Sequence, residues 1–433
     1  MFTKKTVKDI DLNNKRVLLR ADYNVPIKNG IISNDYRIKQ SLPTINYILE
    51  QPGASLVVIS HLGRPEGRPD HESSMEPVAT SLGELTGKKI HFTNDCIGEE
   101  VKKAAENLKS GEILLLENLR FHPEEEKNES EFAKKLAVDS GAQIFVQDGF
   151  GVVHRAHAST DAITKHLPSV AGLLLEKEVL AIKKAMEDPA HPLVAVIGGV
   201  KISDKIEVLA KLISIADCVA VAGAMANNFL LAQGVSVGKS VVESELTDKA
   251  REILQTAKEA EKQRNFNFLV PVDAVVSTNI DGTAPTRLVD LTSNSISDIQ
   301  AYPKKPPESA YIVGKDEMIL DIGPISAAHI VGAIKMAKTV IWNGPCGVTE
   351  TKGIAGAHNP FAHGTRLVVE AMIGSGKQYQ NRPFTLVGGG DTAAYVEQEG
   401  IVDEFSHVST GGGAGLELMA GKKLPGVEAL ADK

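Results

Sequence analysis

The 433-residue sequence predicts an α/β protein with two parallel-sheet domains joined by a helical connector. Short apolar runs alternate with helical patterns along both halves, which is typical of parallel sheets covered on both faces. Each apolar run ends in a polar or glycine-rich loop. One long helical pattern, followed by a proline-rich break, separates the two halves.

In the first half, cationic and polar loops follow four predicted strands. In a parallel α/β sheet, ligands bind beyond the carboxyl ends of the strands, so these loops should share one rim. Several arginines there would repel one another unless an anion is bound, which predicts a small phosphorylated or carboxylated substrate. The predicted strands are 16–20, 56–60, 113–116 and 142–146, and the rim residues are Asp22, Asn24, His61, Arg64, Arg120 and Arg155, with Arg37 reaching the rim from a following loop.

The connector is predicted over 171–187, where one helical pattern ends at the sequence DPAHP. Beyond it the strand-and-loop pattern resumes, with strands predicted at 193–197, 218–221, 318–321, 339–342 and 385–387. Their loops carry glycines rather than arginines, which leaves room for a flat ring and for phosphates near the backbone. This pattern is typical of a nucleotide site. Segment 281–310, rich in Pro, Ser and Asn, is expected to be a long excursion on this domain.

The stretch from Pro383 to Ala394 (PFTLVGGGDTAA) has two readings. Gly388, Gly389, Gly390, Asp391 and Thr392 fit a phosphate site at a helix start, with Asp391 placed to hold Mg²⁺. They fit equally well a glycine-rich turn followed by an N-cap. The stretch alone does not decide between them.

Composition excludes several classes of function. The net charge of −8 gives no general basic field for nucleic acid or anionic membrane, and no apolar run is long enough for a membrane span. Cys96, Cys218 and Cys346 form no metal or disulfide pattern. We therefore expect a cytoplasmic, reduced protein, with no nucleic-acid or membrane partner.

Other motifs fail their tests. The segment 233–240 is one residue short of a Walker A loop, because Gln233 stands where the first glycine belongs. The run Glu124–Glu126 is expected to be a solvated face, and Trp342 to lie in the core.

Eight motifs in order resemble the phosphoglycerate kinase family, across essentially the whole chain. RADYNVP at 20–26, SHLGRP at 60–65, LENLRF at 116–121 and DGFGVVHRAHAS at 148–159 resemble its substrate-domain motifs. GGVKISDKI at 198–206, WNGPCGV at 342–348, GGGDT at 388–392 and STGGGA at 409–414 resemble its nucleotide-domain and closing motifs.

The resemblance implies two doubly wound, Rossmann-like domains that face a central cleft and are joined by a hinge helix. It implies domains at 1–172 and 193–411, a connector at 173–192, and a tail of about 412–433 that packs on the first domain. The implied protein is a monomer. The implied reaction is Mg-dependent phosphoryl transfer from 1,3-bisphosphoglycerate to ADP, giving 3-phosphoglycerate and ATP.

The resemblance also implies roles for individual residues. The seven rim residues would hold phosphoglycerate, and Lys201 and Arg37 would neutralise the transferred phosphoryl group. Because the acceptor in the reverse direction is a carboxylate, no general base is required. The implied nucleotide contacts are Lys205, Gly223, Gly323, Asn343, Glu350, Gly388, Gly389, Gly390, Asp391 and Thr392, with Asp391 on Mg²⁺.

Some positions depart from the family pattern. Thr349 precedes Glu350 where the family usually has Phe, and Ala222 and Ala224 flank Gly223 where glycines are more usual. These changes bear on base preference and nucleotide affinity. A catalytically silent nucleotide- and anion-binding module is the alternative, and a structural or nucleic-acid-binding protein is a third hypothesis. Retention of Lys201, Arg37 and Asp391 together argues for the enzyme.

Overall fold

The computed structural model describes residues 2–292, 310–352, 359–374 and 382–433. The chain divides into two compact units. The first unit comprises Met1–Leu180, Gly413–Leu418 and Lys422–Lys433, and the second comprises Ala181–Gly412 and Met419–Gly421. The division falls inside a helix, Leu173–Glu187. The expected domain bounds stay a prediction.

The first unit contains a six-stranded sheet in the order β5-β6-β4-β1-β7-β8, and every pairing in it is parallel. A short antiparallel hairpin, β2-β3, lies outside that sheet. The strands are β1 Arg16–Arg20, β2 Ile27–Lys28, β3 Ile31–Ile32, β4 Ser55–Ile59, β5 Ile90–Phe92, β6 Ile113–Leu115, β7 Ile144–Gln147 and β8 Ser169–Ala171.

Helices connect these strands, and buried apolar side chains from strands and helices form two core clusters. Strand β1 contributes Val17 and Leu19 to one cluster and Leu18 to the other, because successive side chains point to opposite faces. The sheet is therefore covered on both sides, as the apolar runs predict. The helices are α1 Tyr36–Leu49, α2 Glu76–Thr86, α3 Glu99–Glu106, α4 Pro123–Glu126, α5 Ser130–Asp139 and α6 Leu173–Glu187.

The C-terminal tail returns to the first unit. Lys4 pairs with Asp432 in an isolated antiparallel bridge, and the Lys4 Nζ donates to the carbonyl oxygens of Glu428 and Leu430. Gly426 N donates to Val153 O at 2.9 Å. These contacts attach residues from both ends of the chain to one unit.

The second unit contains a parallel sheet in the order β11-β10-β9-β15-β16-β17. Numbered along the chain within this sheet, the order is 3-2-1-4-5-6, that of a doubly wound nucleotide-binding fold, with its switch point between β9 and β15. The strands are β9 Leu193–Ile197, β10 Cys218–Val221, β11 Asn267–Leu269, β15 Thr339–Asn343, β16 Phe384–Gly388 and β17 His407–Val408.

A separate antiparallel sheet in the order β13-β12-β14 corrects one expectation. The apolar run at 318–321 was expected to join the parallel series, but β14 Met318–Ile322 pairs antiparallel with β12 Asp273–Ser277. Strand β13, Thr286–Asp290, lies within the expected excursion and pairs with β12 as well. The remainder of that excursion, 293–309, lies outside the described residues.

The helices of the second unit and of the tail complete the order of elements. Pro324 occupies the first turn of α10, where its missing N–H costs nothing. These helices are α7 Ile206–Ile215, α8 Ala226–Ala232, α9 Thr247–Gln263, α10 Pro324–Met336, α11 His363–Ile373, α12 Gly390–Gln398, α13 Gly413–Met419 and α14 Pro425–Glu428. Among the described residues, no helix is both long enough and apolar enough to cross a membrane.

Candidate functional site

The loops after β1 and β4 bring polar rim residues of the first unit together. Arg37 lies in the first turn of α1 and not in a loop, because the helix already begins at Tyr36. Its Nη1 forms an ion pair with Asp22 Oδ2 at 2.8 Å, and Asp22 Oδ1 accepts from Asn24 N at 3.2 Å. Gly63 N donates to Asn24 Oδ1 at 2.9 Å, which joins the loop after β4 to the loop after β1. The carboxyl ends of two neighbouring strands thus carry one connected polar cluster.

Arg120 adds a third loop to this cluster. Its Nη1 donates to Gly63 O at 2.8 Å, and its Nε lies 3.2 Å from Glu126 Oε1. Burial lowers the pKa of the Arg120 guanidinium, and the nearby charges of Arg155 and Arg64 lower it further while Glu126 opposes the shift. An arginine stays protonated regardless. Several positive charges therefore lie near one another, as an anion site requires.

The rim residues differ in exposure. Asp22, His61 and Arg120 are buried, and Arg37 is half-buried. Asn24, Arg64 and Arg155 are exposed, although Asn24 is held by its hydrogen bond with Gly63 N. The cluster therefore combines buried groups with exposed ones.

One expectation about this unit is wrong. Glu125 is not on a solvated face: only 1% of it is exposed, while Glu126 next to it is exposed. Its carboxylate accepts hydrogen bonds from Ser159 N and Oγ, and Arg20 lies close enough to affect its pKa. Three consecutive glutamates in a sequence do not indicate that the side chain of the middle one is buried. Arg20, Glu125 and Ser159 are the polar residues that the sequence reasoning missed here.

In the second unit, backbone segments converge at the switch point of the sheet. Gly198 N donates to Asn343 O at 2.9 Å, and Gly199 N donates to Pro345 O at 3.0 Å. A Cβ on Gly198 would lie 2.2 Å from Pro345 O, so only glycine permits this approach. The loops after β9 and β15 consequently touch through their backbones, at the place where doubly wound sheets bind ligands.

Lys205 places its amine at this crossing. The side chain is buried, and Nζ donates to the carbonyl oxygens of Gly198 and Asn343. Burial lowers the pKa of Lys205 to about 8, while the negative charge of Asp391 opposes the shift. Lys201, four residues earlier, is exposed on the same loop. Among the described residues of this loop, Lys205 is thus a buried cation and Lys201 an exposed one.

The glycine stretch that follows β16 lies beside the same crossing. Gly389 has φ +93°, a conformation that favours glycine, and α12 begins at Gly390 with Asp391 exposed in its first turn. Thr392 is buried, and its Oγ1 accepts from Gly344 N at 2.7 Å. The glycines form the expected turn, but the expected Asp or Thr N-cap is wrong, because Gly389 is the N-cap residue and no side chain caps the helix. The exposed helix start fits the phosphate reading.

Asn343 supplies a buried donor without a partner. Its Nδ2 makes no hydrogen bond with any residue that the structure describes, and a Cβ on Gly388 would lie 3.0 Å from it. Buried donors are normally satisfied, so an unpaired one beside an open helix start indicates a missing acceptor. A phosphate oxygen is such an acceptor.

A cavity of about 410 Å³ adjoins this group. Gly199, Gly223 and Pro345 form its backbone edge, and Glu350 and Asp391 are its exposed acidic residues. Most other lining side chains are apolar, including Leu230, Val241, Ile280, Met318 and Leu320. A flat apolar ring with a polar tail would match this combination.

Two lining features bear on the expected nucleoside contacts. Thr349 Oγ1 lies 3.4 Å from Glu350 Oε1, so the departure at 349 places a hydroxyl against that carboxylate. Asp321, which the sequence reasoning missed, is buried in the wall, and burial raises its pKa to about 7. Gly323 instead packs on Asp273, where a Cβ would come within 2.2 Å of the carboxyl carbon. Its expected place beside adenine stays a prediction.

The residues present fit a magnesium ion that arrives with a nucleotide. Asp391 offers an exposed carboxylate next to the helix start and the Lys205 amine. Mg²⁺ prefers oxygen ligands and is commonly held by one or two carboxylates together with substrate phosphates. The donor set therefore suits a metal–phosphate complex.

Comparison with known proteins identifies the family. The phosphoglycerate kinase family model matches residues 7–422. The chain belongs to the phosphoglycerate kinase family. It is 45% identical over 432 residues to the phosphoglycerate kinase of Moorella thermoacetica and 46% identical over 436 residues to that of Dictyoglomus turgidum, with 100% of each chain covered.

Solved structures agree with this assignment. The phosphoglycerate kinase structure from Coxiella burnetii aligns with a TM-score of 0.78 at 36% identity, covering 98% of both chains. The structure from Pyrococcus horikoshii aligns with a TM-score of 0.79 at 31% identity, covering 99% of this chain and 98% of the other. Members of the family use ATP and ADP with Mg²⁺, and the two-domain α/β fold class predicted from the sequence is confirmed.

Proposed function

We propose that this chain catalyses reversible phosphoryl transfer between 1,3-bisphosphoglycerate and MgADP, giving 3-phosphoglycerate and MgATP. The first unit takes the phosphoglycerate and the second takes the nucleotide. The observation that carries the assignment is the switch-point crossing, where Lys205, the unpaired Asn343 amide and the start of α12 meet beside an apolar cavity. Family membership over the full length supports the same reaction.

In the first unit, charge complementarity selects the substrate. Arg37, Arg64, Arg120 and Arg155 would neutralise its phosphate and carboxylate groups. Asp22 holds Arg37 through the 2.8 Å ion pair. Asn24 and His61 would bind neutral oxygens or the carboxylate. Guanidinium groups suit these anions because they bond to two oxygens at once.

In the second unit, Lys205, Asn343 and the backbone from Gly388 to Gly390 would contact the nucleotide phosphates. Thr392 can still donate its hydroxyl proton while it accepts from Gly344. Glu350 would bind the ribose hydroxyls, and Gly223 would border the adenine. Asp391 would hold Mg²⁺, which when bound offsets the charge of the phosphates.

The transfer itself requires little proton chemistry. A terminal oxygen of ADP forms the new P–O bond as the bond from phosphorus to the acyl oxygen breaks, leaving a carboxylate that needs no proton at neutral pH. The phosphoryl group carries negative charge throughout, and Lys201 and Arg37 are the exposed and half-buried cations suited to it. Because the two substrates must meet, we propose that a hinge motion accompanies turnover.

A coupled assay tests this function. 3-Phosphoglycerate-dependent consumption of ATP should be robust in the presence of Mg²⁺ and should disappear when the metal is chelated. A protein that binds MgADP and 3-phosphoglycerate but turns over neither would instead be a silent binding module. We further propose a cytoplasmic monomer. The three free, buried cysteines fit a reducing compartment, and sedimentation would test the monomer.

A further inference from the structure

A buried hydrogen-bonded chain lies beneath the arginine cluster of the first unit. Arg20 Nε donates to Ser159 Oγ at 2.8 Å, and Ser159 Oγ donates to Glu125 Oε1 at 2.5 Å. Glu125 Oε2 also accepts from Ser159 N at 3.0 Å. All three residues are at most 1% exposed. Buried ions are tolerated when paired and hydrogen-bonded. Glu125 supplies the opposite charge near Arg20, whereas the hydrogen bonds of Arg20 go to Ser159 Oγ, Ala21 O and Ser60 Oγ.

The series of hydrogen bonds continues from Arg20 to His61. Arg20 Nη2 lies 3.2 Å from His61 Nδ1. A guanidinium can only donate, so Nδ1 must be the acceptor and carries no proton. A neutral imidazole then holds its single proton on Nε2. The contact therefore specifies one tautomer of His61.

The surroundings of His61 oppose a second proton. Burial lowers its pKa well below the usual value, and the charges of Arg20, Arg120 and Arg37, together with His157, lower it further. Burial likewise raises the pKa of Glu125, but Arg20 and the Ser159 hydrogen bonds oppose that shift. The positive charge at this site thus belongs to the arginines and not to the histidine.

We propose that Glu125, Ser159 and Arg20 form a positioning relay that holds His61 as a neutral imidazole with its proton on Nε2. His61 then offers the bound anion a directed hydrogen bond instead of a charge. The identity of that anion as 3-phosphoglycerate rests on the proposed function; the tautomer does not. The three relay residues need not touch substrate.

The tautomer can be read directly in the free protein. Long-range ¹H–¹⁵N correlation on deuterated, histidine-labelled protein distinguishes a protonated ring nitrogen from a bare one, and a His61→Gln spectrum identifies the signals. We expect a bare Nδ1, a protonated Nε2 and no titration across neutral pH. A proton on Nδ1, or an imidazolium at neutral pH, would overturn the proposal.

Removing the middle of the relay tests the cause. In Ser159→Ala, Arg20 loses its link to Glu125 and keeps only its Nη1 contacts with Ala21 O and Ser60 Oγ. Its Nη2 is then oriented less firmly toward His61 Nδ1, so the second tautomer should become populated. Loss of one hydrogen bond of ordinary strength predicts a KM for 3-phosphoglycerate raised about 3- to 10-fold, with the KM for ATP unchanged. Ser140→Ala is the matched control, because Ser140 is a buried serine of the same unit whose hydroxyl donates to Ala137 O. It should change neither quantity.

The remaining outcomes are decisive. A raised KM with an unchanged tautomer would show a merely structural role and would overturn the relay, as would no change in either. If Ser159→Ala fails to fold, Glu125→Gln, which keeps the shape and removes the charge, is judged by the same two readouts. If the wild type lacks kinase activity, the proposed function fails, whereas the tautomer and calorimetric 3-phosphoglycerate binding still decide the relay.

Discussion

The candidate sites of the two units are built in opposite ways. The first unit uses side chains: Asp22 holds Arg37, Glu126 holds Arg120, and Ser159 holds the buried Arg20. The second unit uses backbone: glycines at 198, 199 and 344 let loops touch, and one buried lysine supplies the charge. Clustered arginines are thus held by carboxylates, one buried and one exposed, whereas the loops of the second unit depend on close backbone approach.

The largest effect should follow removal of the cations proposed to act on the transferred group. Lys201→Ala and Arg37→Ala should each lower kcat by about 100- to 1000-fold, the usual effect of losing one preorganised electrostatic group. Thermal unfolding should be unchanged for Lys201→Ala, because Lys201 is exposed. Steady-state kinetics with both substrates at saturation measure kcat.

Lys211→Ala is the control, since Lys211 is an exposed lysine on α7 of the same unit. It should behave as wild type. Full activity in Lys201→Ala would remove that residue from the mechanism. It would also weaken the contrast between the buried Lys205 and the exposed Lys201.

The next-largest effect should follow a substitution that separates the loops after β9 and β15. Gly198→Ala brings a Cβ within 2.2 Å of Pro345 O, so the two loops must separate, at a cost of about 1–3 kcal/mol in the free energy of unfolding. MgADP affinity should also fall, because the separated loops belong to the proposed nucleotide site. Denaturant unfolding and calorimetry provide the two measurements.

Gly332→Ala is the matched substitution. Gly332 lies inside α10, and a Cβ there meets no atom within 4 Å. Alanine should stabilise this helix by about 0.5–1 kcal/mol and leave MgADP binding unchanged. If both variants behave alike, close backbone approach is not what builds the nucleotide site.

A smaller effect should appear as pH dependence. Because the pKa of Lys205 is about 8, its amine is protonated below that pH and loses its charge as the pH rises through it. MgADP affinity should therefore be level below about 8 and decline above it. Calorimetric titration over this range checks the trend.

Lys205→Gln provides the comparison for that profile. Its affinity should be lower throughout, and the decline above pH 8 should vanish. A decline that persists in Lys205→Gln would assign the titration to another group.

The sequence predicts the parallel strands β1, β4, β6 and β7 in the first unit and β9, β10, β15 and β16 in the second, because buried parallel strands read as uninterrupted apolar runs. It misses β5, β8, β11 and β17, each of which is only two or three residues long. It fails for β14, since an apolar run of that length carries no sign of strand direction or partner. Glu125 and Ser159 could not be placed because their inward orientation follows from the short turn at α4 and from Arg20, which is distant in sequence. Gly323 contacts Asp273, which comes from another strand, and its expected place beside adenine stays a prediction.

We propose that each unit binds one substrate, and the variant Asp391→Asn separates the two sites. Asp391 lies in the second unit and would hold Mg²⁺, so its loss should weaken MgADP binding by about tenfold or more, the lower end for removing a charged partner. Calorimetric titration with 3-phosphoglycerate should give the wild-type Kd, because we propose that this substrate binds the first unit. A lost or strongly weakened 3-phosphoglycerate signal in this variant would contradict the account.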